Sequence, residues 1–104
     1  MKNKNLQIAR IKEMEEIYDK VFYDLANFKS SLHNFSETQK NLKKLDKYYW
    51  SKNWLKDFED DNNWKIPKNI KRWVLAEDTL YNLFLENKEI AEEMVKIGNR
   101  ILKI

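Results

Sequence analysis

The stretch that decides the fold is IKEMEEIYDKVFYDLANFKSSLHNF, residues 11–35. Apolar side chains recur in it at alternating steps of three and four residues, the heptad spacing of a helix packed along another helix. The seam continues to residue 42 with one polar member and consists of Ile11, Met14, Tyr18, Val21, Leu25, Phe28, Leu32, Phe35, Gln39 and Leu42. Four more apolar residues widen it, which indicates a bundle helix with more than one neighbour. They are Ile8, Ile17, Phe22 and Leu45.

The first helix is predicted to run unbroken from about Leu6 to about Lys47, a length of roughly 60 Å at ~1.5 Å per residue. Ser36 and Gln39 have the spacing of a capping box, which would start a new helix there. The seam nevertheless keeps its register across these residues, and no Gly or Pro lies nearby. We therefore expect one continuous helix.

The last segment repeats the helical pattern from about Glu77 to about Lys103. Its face is formed by Leu80, Leu83, Asn87, Ile90, Met94, Ile97, Ile101 and Ile104. The carboxylates of Glu77 and Asp78 favour the positive end of the helix dipole and so mark the start. Gly98 costs about 1 kcal/mol relative to Ala, so the last turns are expected to fray or end early. Asn87 is either a buried amide that fixes the register or a polar residue at the edge of the face.

A tryptophan-rich connector, residues 48–76, joins the two long patterns and contains all four tryptophans. Trp50, Trp54 and Phe58 recur every four residues, which predicts a short helix from about Ser51 to about Asp60 with these rings on one face. Because each buried aromatic ring contributes roughly 2 to 3 kcal/mol, the connector is expected to cap the core of the long helices. The alternative is a ligand pocket.

Beyond that short helix, Pro67 favours an extended residue before it and a turn of helix after it, over Lys68–Trp73. From these patterns we expect Trp54, Phe58 and Trp73 to be mainly buried.

Composition supports a single all-α domain over residues 1–104. One Gly and one Pro in 104 residues leave few turn signals for a sheet. The predicted fold is a long antiparallel helical hairpin with a Trp-rich connector that contains one or two short helices. Cysteine is absent, which excludes disulfides and thiolate sites and fits a reducing cytoplasm. Charges occur in every short window of the N-terminal part, so we expect neither a signal peptide nor a membrane span.

Six blocks of the sequence, taken in order, form a recognisable pattern: Arg10–Glu15, Tyr48–Tyr49, Trp54–Glu59, Ile66–Arg72, Val74–Leu83 and Glu86–Asn87. Together they resemble the domain of unknown function 4298 family of small bacterial proteins. The chain departs from the family pattern at Ala76, where a helix-capping Ser is usual, and at Trp73, where a small residue is common. With Ala at position 76, the helix cap that a Ser would form is in doubt; such a cap contributes about 1 kcal/mol to stability, and its loss does not change the fold. The resemblance implies a helical cytoplasmic protein and supplies no activity.

The residues argue against an enzyme and against a cofactor or metal. A calcium loop that begins at Asp57 would need Gly at its sixth position and Glu at its twelfth, but Asn62 and Lys68 stand there. The only histidine, His33, lies one step from the apolar seam and has no partner suggested by the sequence. The acidic run that ends at Asp61 is better explained as a solvated helix end.

Two functions remain, and the first is a protein-interaction or structural module that binds a protein partner or itself. Its predicted contact residues are Tyr18, Phe22, Trp54, Trp64 and Trp73. Because the first helix is longer than the last by about fifteen residues, part of its seam is expected to lack a partner within the hairpin, which favours a homodimer.

The second function is nucleic-acid binding, because residues 40–72 carry ten basic and five acidic residues among exposed-capable aromatics. Its predicted phosphate contacts are Lys43, Lys47, Lys68, Lys71 and Arg72. No helix-turn-helix or other docking motif is recognised. A biased genome composition would also explain the many lysines.

Overall fold

The computed structural model describes residues 2–103, which form three α-helices and one 3-10 turn. Helix α1 spans Lys2–Tyr49, α2 spans Lys52–Asn62 and α3 spans Thr79–Leu102. The 3-10 turn, Trp73–Leu75, lies between α2 and α3. Helices account for 84% of the residues and the described part of the chain contains no strand, so the predicted all-α order of long helix, connector and second long helix is confirmed.

Helix α1 is continuous through Ser36, as its unbroken seam predicted. Helix α3 begins two residues later than predicted, after Asp78, and continues past Gly98 to Leu102. Asp78 occupies the N-cap position, but its side chain forms no capping hydrogen bond. Because α3 continues through Gly98, it does not end early at that residue.

The chain divides into two compact units, one ending at Gln39 and the other beginning at Lys40, so the division falls inside α1. The first unit is a stretch of α1 and contains no buried residue among those described. The second unit contains the end of α1, the connector and α3. Of the described residues, no helix is long and apolar enough to cross a membrane.

The core of the second unit is centred on Leu75 and Leu80, which expose 7% and 2% of their surface. The 3-10 turn that carries Leu75 contacts both α2 and α3. The Tyr49 ring, at the end of α1, packs edge-on against Trp54 of α2 and Phe84 of α3, with ring centroids 5.0 and 6.0 Å apart. Tyr49 therefore links the end of α1 to both α2 and α3.

Candidate functional site

Two exposed surfaces are candidates for function, and the first is the apolar seam of α1. Between residues 11 and 32 its members expose 39–66% of their surface. We call this surface the α1 stripe; it consists of Ile11, Met14, Tyr18, Val21, Leu25, Phe28 and Leu32. The stripe includes the predicted contact residue Tyr18, whose ring lies 6.0 Å from that of the neighbouring, also exposed Phe22.

The second surface is the segment that follows α2, residues 63–74, which we call the tryptophan loop. Its geometry begins with the N-cap of α2, where Ser51 Oγ accepts a hydrogen bond from the Trp54 amide at 3.2 Å and donates one to the Tyr48 carbonyl at 2.6 Å. A Ser at this position satisfies one of the free amides of the first helical turn. This cap fixes α2 at a defined angle after the end of α1.

Trp50 therefore lies before α2 rather than on it, and is exposed. The prediction of one face shared by Trp50, Trp54 and Phe58 was wrong for Trp50, because the chain is extended at Ser51 and interrupts the helical spacing. Trp50 Nε1 instead donates to Asp46 Oδ1 of α1 at 3.1 Å.

Trp54 and Phe58 do share a face of α2, and both are partly buried. Their rings stack with centroids 5.1 Å apart and an interplanar angle of 14°. Trp54 Nε1 donates to the Val74 carbonyl at 2.9 Å, which ties α2 to the 3-10 turn. Trp54 is thus a structural residue of the second unit, although it was one of the predicted contact residues.

The C-terminus of α2 is closed by a Schellman motif with tryptophan at the left-handed position. The Lys65 amide donates to the Asp60 carbonyl at 2.9 Å, and the Trp64 amide donates to the Asp61 carbonyl at 3.1 Å. Trp64 has φ of 61°, a region that glycine usually occupies at this position. Its side chain is 85% exposed. The indole is therefore held out into solvent from a strained backbone.

The loop itself is held by Arg72. Its Nη1 lies 2.8 Å from Asp61 Oδ1 and 3.3 Å from the Ile66 carbonyl, and its Nη2 lies 3.3 Å from the Lys68 carbonyl. One guanidinium thus joins the end of α2 to two points of the loop. Arg72, predicted as a phosphate contact, therefore has an internal partner in Asp61.

Two open clefts share Asp61 and Arg72 in their walls. One, of about 390 Å³, is also lined by Ile70, Lys71 and Trp73. The other, of about 310 Å³, is also lined by Trp64. Each cleft therefore has a tryptophan and a charged pair in its wall.

Trp73 is 69% exposed, so the prediction that it is mainly buried was wrong. The 3-10 turn explains the difference, because it places the neighbouring Leu75 in the core and turns Trp73 outward. Asp61 was assigned only to a helix end. Its pairing with Arg72, eleven positions later, has no local sequence signal, and only the geometry of the loop brings the two together.

The remaining predicted phosphate contacts are exposed lysines in two places. Lys43 and Lys47 lie on α1, and Lys68 and Lys71 lie on the tryptophan loop. Of the predicted phosphate contacts, Lys68 and Arg72 are in direct contact, because Arg72 Nη2 donates a hydrogen bond to the backbone carbonyl of Lys68.

A tyrosine–carboxylate contact joins α1 to α2. The Tyr48 hydroxyl donates to Asp57 Oδ2 at 2.5 Å. Burial, followed by the hydrogen bond to Asp57 and the charge of that carboxylate, raises the pKa of Tyr48 to about 12. The phenol therefore stays protonated at neutral pH and acts as a structural donor.

Within residues 2–103, no group of three or more His, Cys, Asp or Glu side chains is placed to hold a metal ion. His33 is exposed on α1.

Comparison with known proteins identifies the family to which the chain belongs. No curated protein and no solved structure matches the chain. A family model described as Domain of unknown function (DUF4298) matches residues 11–97, which include most of α1, the whole connector and most of α3. The matched region thus contains both the α1 stripe and the tryptophan loop, and the chain belongs to the DUF4298 family of unknown function.

Proposed function

We propose that the protein is a non-enzymatic interaction module that associates with a second copy of itself through the α1 stripe. The observation that carries the proposal is the exposure of seven consecutive seam residues, from Ile11 to Leu32, on a helix without a single buried residue in its described part.

Helix stability explains why the stripe needs a partner. Most of the stability of a protein helix comes from packing of its apolar face rather than from intrinsic propensity. The stripe extends over roughly 30 Å at ~1.5 Å per residue. A continuous apolar surface of this length exceeds what monomeric proteins ordinarily expose. A second α1 would cover it with side chains of the same spacing.

Light scattering on the full-length chain tests the proposal. We expect the wild type to have twice the chain mass of 12.8 kDa at micromolar concentration. Tyr18→Lys, in the stripe, should give the mass of a single chain, because a lysine in the seam places a charge in the apolar contact.

The matched control is Tyr23→Lys. Tyr23 has similar exposure, 66% against 61% for Tyr18, but lies off the stripe. It should leave the doubled mass unchanged. A monomeric wild type would contradict the proposal, as would equal effects of the two substitutions.

A second candidate function, binding of single-stranded nucleic acid, is favoured by the tryptophan loop. The loop carries Lys65, Lys68, Lys71 and Arg72 and no acidic residue. Trp64 and Trp73 are exposed beside these cations. Charge to hold phosphates and rings on which bases stack are the features of sequence-tolerant single-strand binding.

Tryptophan fluorescence during titration with oligothymidylate tests this candidate. Quenching that weakens with added salt and with Trp64→Ala would support it. Trp50→Ala, which removes an exposed tryptophan outside the loop, is the control. Fluorescence that does not respond to the oligonucleotide at low salt would exclude the loop as its site.

A further inference from the structure

The charges beside the α1 stripe determine how two copies would pair. In the heptad of the stripe, Ile11 and Tyr18 occupy a positions, and Met14 and Val21 occupy d positions. The positions that flank the seam, e and g, are the ones that set partner orientation in coiled coils. This inference rests on the proposed self-association and adds its geometry.

The charged residues at the flanking positions are few. Arg10 and Asp24 occupy g positions, and Glu15 and Lys29 occupy e positions. In the described part of the chain, none of these four side chains forms an ion pair within its own molecule. Their charges are therefore available to a partner.

A parallel pair in register places each g residue of one copy against the next e residue of the other. Arg10 then faces Glu15 of the second copy, and Asp24 faces Lys29 of the second copy. The g position between them, Ile17, faces the e residue Phe22. By symmetry each contact occurs twice, and every charged contact is attractive.

An antiparallel pair brings e against e and g against g instead. The register that matches the seam best pairs Ile11 with Phe35 of the second copy and Met14 with Leu32, so that every seam residue from 11 to 35 has a partner. In that register Glu15 faces Lys29 of the second copy, but Asp24 faces Asp24 of the second copy. The antiparallel arrangement therefore gains two attractive contacts, against four in the parallel pair, and adds a repulsion between like charges.

We propose that two copies of the chain associate through α1 as a parallel, in-register pair, oriented by ion pairs between Arg10 and Glu15 and between Asp24 and Lys29 of opposite copies. Surface ion pairs add little to affinity, so the apolar stripe supplies the association and the four charged contacts select the orientation.

Disulfide trapping tests the orientation, because the native chain contains no cysteine. Ile11→Cys and Phe35→Cys variants are mixed in equal amounts and equilibrated in a glutathione redox buffer. Covalent dimers are then separated by mass. In a parallel pair, equivalent positions adjoin, whereas residues 11 and 35 lie about 36 Å apart at ~1.5 Å per residue, far beyond disulfide reach.

We expect the two homodisulfides to exceed the heterodisulfide well beyond the statistical ratio of random pairing. A dominant heterodisulfide would overturn the parallel arrangement and leave the proposed self-association intact. A statistical mixture would overturn the in-register arrangement. If the wild type had the mass of a single chain, both the proposed self-association and its parallel orientation would be wrong.

Charge reversal gives an independent readout that requires no cysteine. Lys29→Glu should raise the dissociation constant of the pair by about tenfold, since two attractive contacts become repulsive. Adding Asp24→Lys to the same chain should restore it to near the wild-type value. Lys20→Glu makes the same change in net charge at an outward c position and should have little effect. Equal effects of Lys29→Glu and Lys20→Glu would overturn the assigned contacts.

Discussion

At the scale of single residues, Trp64 combines two unfavourable properties. Its backbone lies in the left-handed region, at φ of 61°, and its side chain is 85% exposed. The left-handed conformation costs a residue with a Cβ roughly 1–2 kcal/mol, a cost that glycine does not have. An exposed indole offsets little of it by burial. Strain of this kind is typical of functional positions.

Replacing Trp64 by Gly should therefore stabilise the fold. We expect the free energy of unfolding to rise by about 0.5–1 kcal/mol, after allowance for the greater freedom of glycine in the unfolded chain. Chemical denaturation measures the change. Trp73→Gly is the control, because Trp73 is also exposed but lies in the 3-10 turn, where glycine should lower stability. A loss of stability in both variants would contradict the account of strain.

Ionisation of Tyr48 should make the stability of the fold depend on pH in the alkaline range. Its pKa is raised to about 12 in the folded chain, chiefly by burial and then by Asp57, against an ordinary value of 10.0. The folded state therefore holds the phenolic proton more tightly than the unfolded state. The resulting stabilisation is fully present below pH 10 and is lost as the pH rises from about 10 to about 12.

Tyr48→Phe should remove this part of the pH dependence. The variant is expected to be less stable than the wild type at neutral pH, with the difference shrinking as the pH approaches about 12. Urea unfolding at a series of alkaline pH values measures it. Tyr23→Phe, at an exposed position of α1, should preserve the wild-type profile. If the free energies of unfolding of Tyr48→Phe and the wild type differed by the same amount at every pH, folding would not change the pKa of Tyr48 and this account would be wrong.

At the scale of elements, the break between α1 and α2 depends on one side chain. Ser51 Oγ bonds both the Trp54 amide and the Tyr48 carbonyl, so it caps one helix and closes the other. Without it, the stacked rings of Trp54 and Phe58 would lose the angle that brings Trp54 to the Val74 carbonyl.

Ser51→Ala should lower the free energy of unfolding by about 1–2 kcal/mol, the usual effect of losing an N-cap hydroxyl. The measurement is denaturant unfolding followed by tryptophan fluorescence, which reports on the connector. Ser30→Ala, at an exposed position inside α1, is the matched control and should have an effect within about 0.5 kcal/mol. Equal effects would mean that the cap does not hold α2.

At the scale of the whole molecule, the chain has a small core and a long exposed apolar seam. Leu75 and Leu80 are the two residues that are buried in the described part of the chain. Small domains have marginal stability because little of their surface leaves water on folding. The second unit therefore depends strongly on single core positions.

Leu80→Ala should cost about 2–5 kcal/mol and leave the second unit largely unfolded at 25 °C. Near-ultraviolet circular dichroism of the tryptophans should collapse, because Trp54 and Phe58 lose their fixed packing. Leu102→Ala, at a position that is 85% exposed, makes the same chemical change and should be close to neutral. A cooperative transition of wild-type size in Leu80→Ala would place the core elsewhere.

The sequence by itself determined the helices, since helical periodicity depends only on the spacing of apolar side chains along the chain. The unbroken seam through Ser36 predicted one continuous α1, and the scarcity of Gly and Pro predicted an all-α chain. The spacing of Trp54 and Phe58 likewise predicted their shared face on α2.

The tertiary structure decided which tryptophans are exposed to solvent and which is partly buried. Trp73 is exposed because a 3-10 turn places Leu75 in the core, and Trp64 is exposed because a left-handed residue ends α2. The pairing of Asp61 with Arg72, which shapes both clefts, depends on where the loop returns to α2. The Asp61–Arg72 pair and the packing of the 3-10 turn on α2 and α3 are set by contacts between residues distant in the chain, and a local pattern carries no information about those contacts.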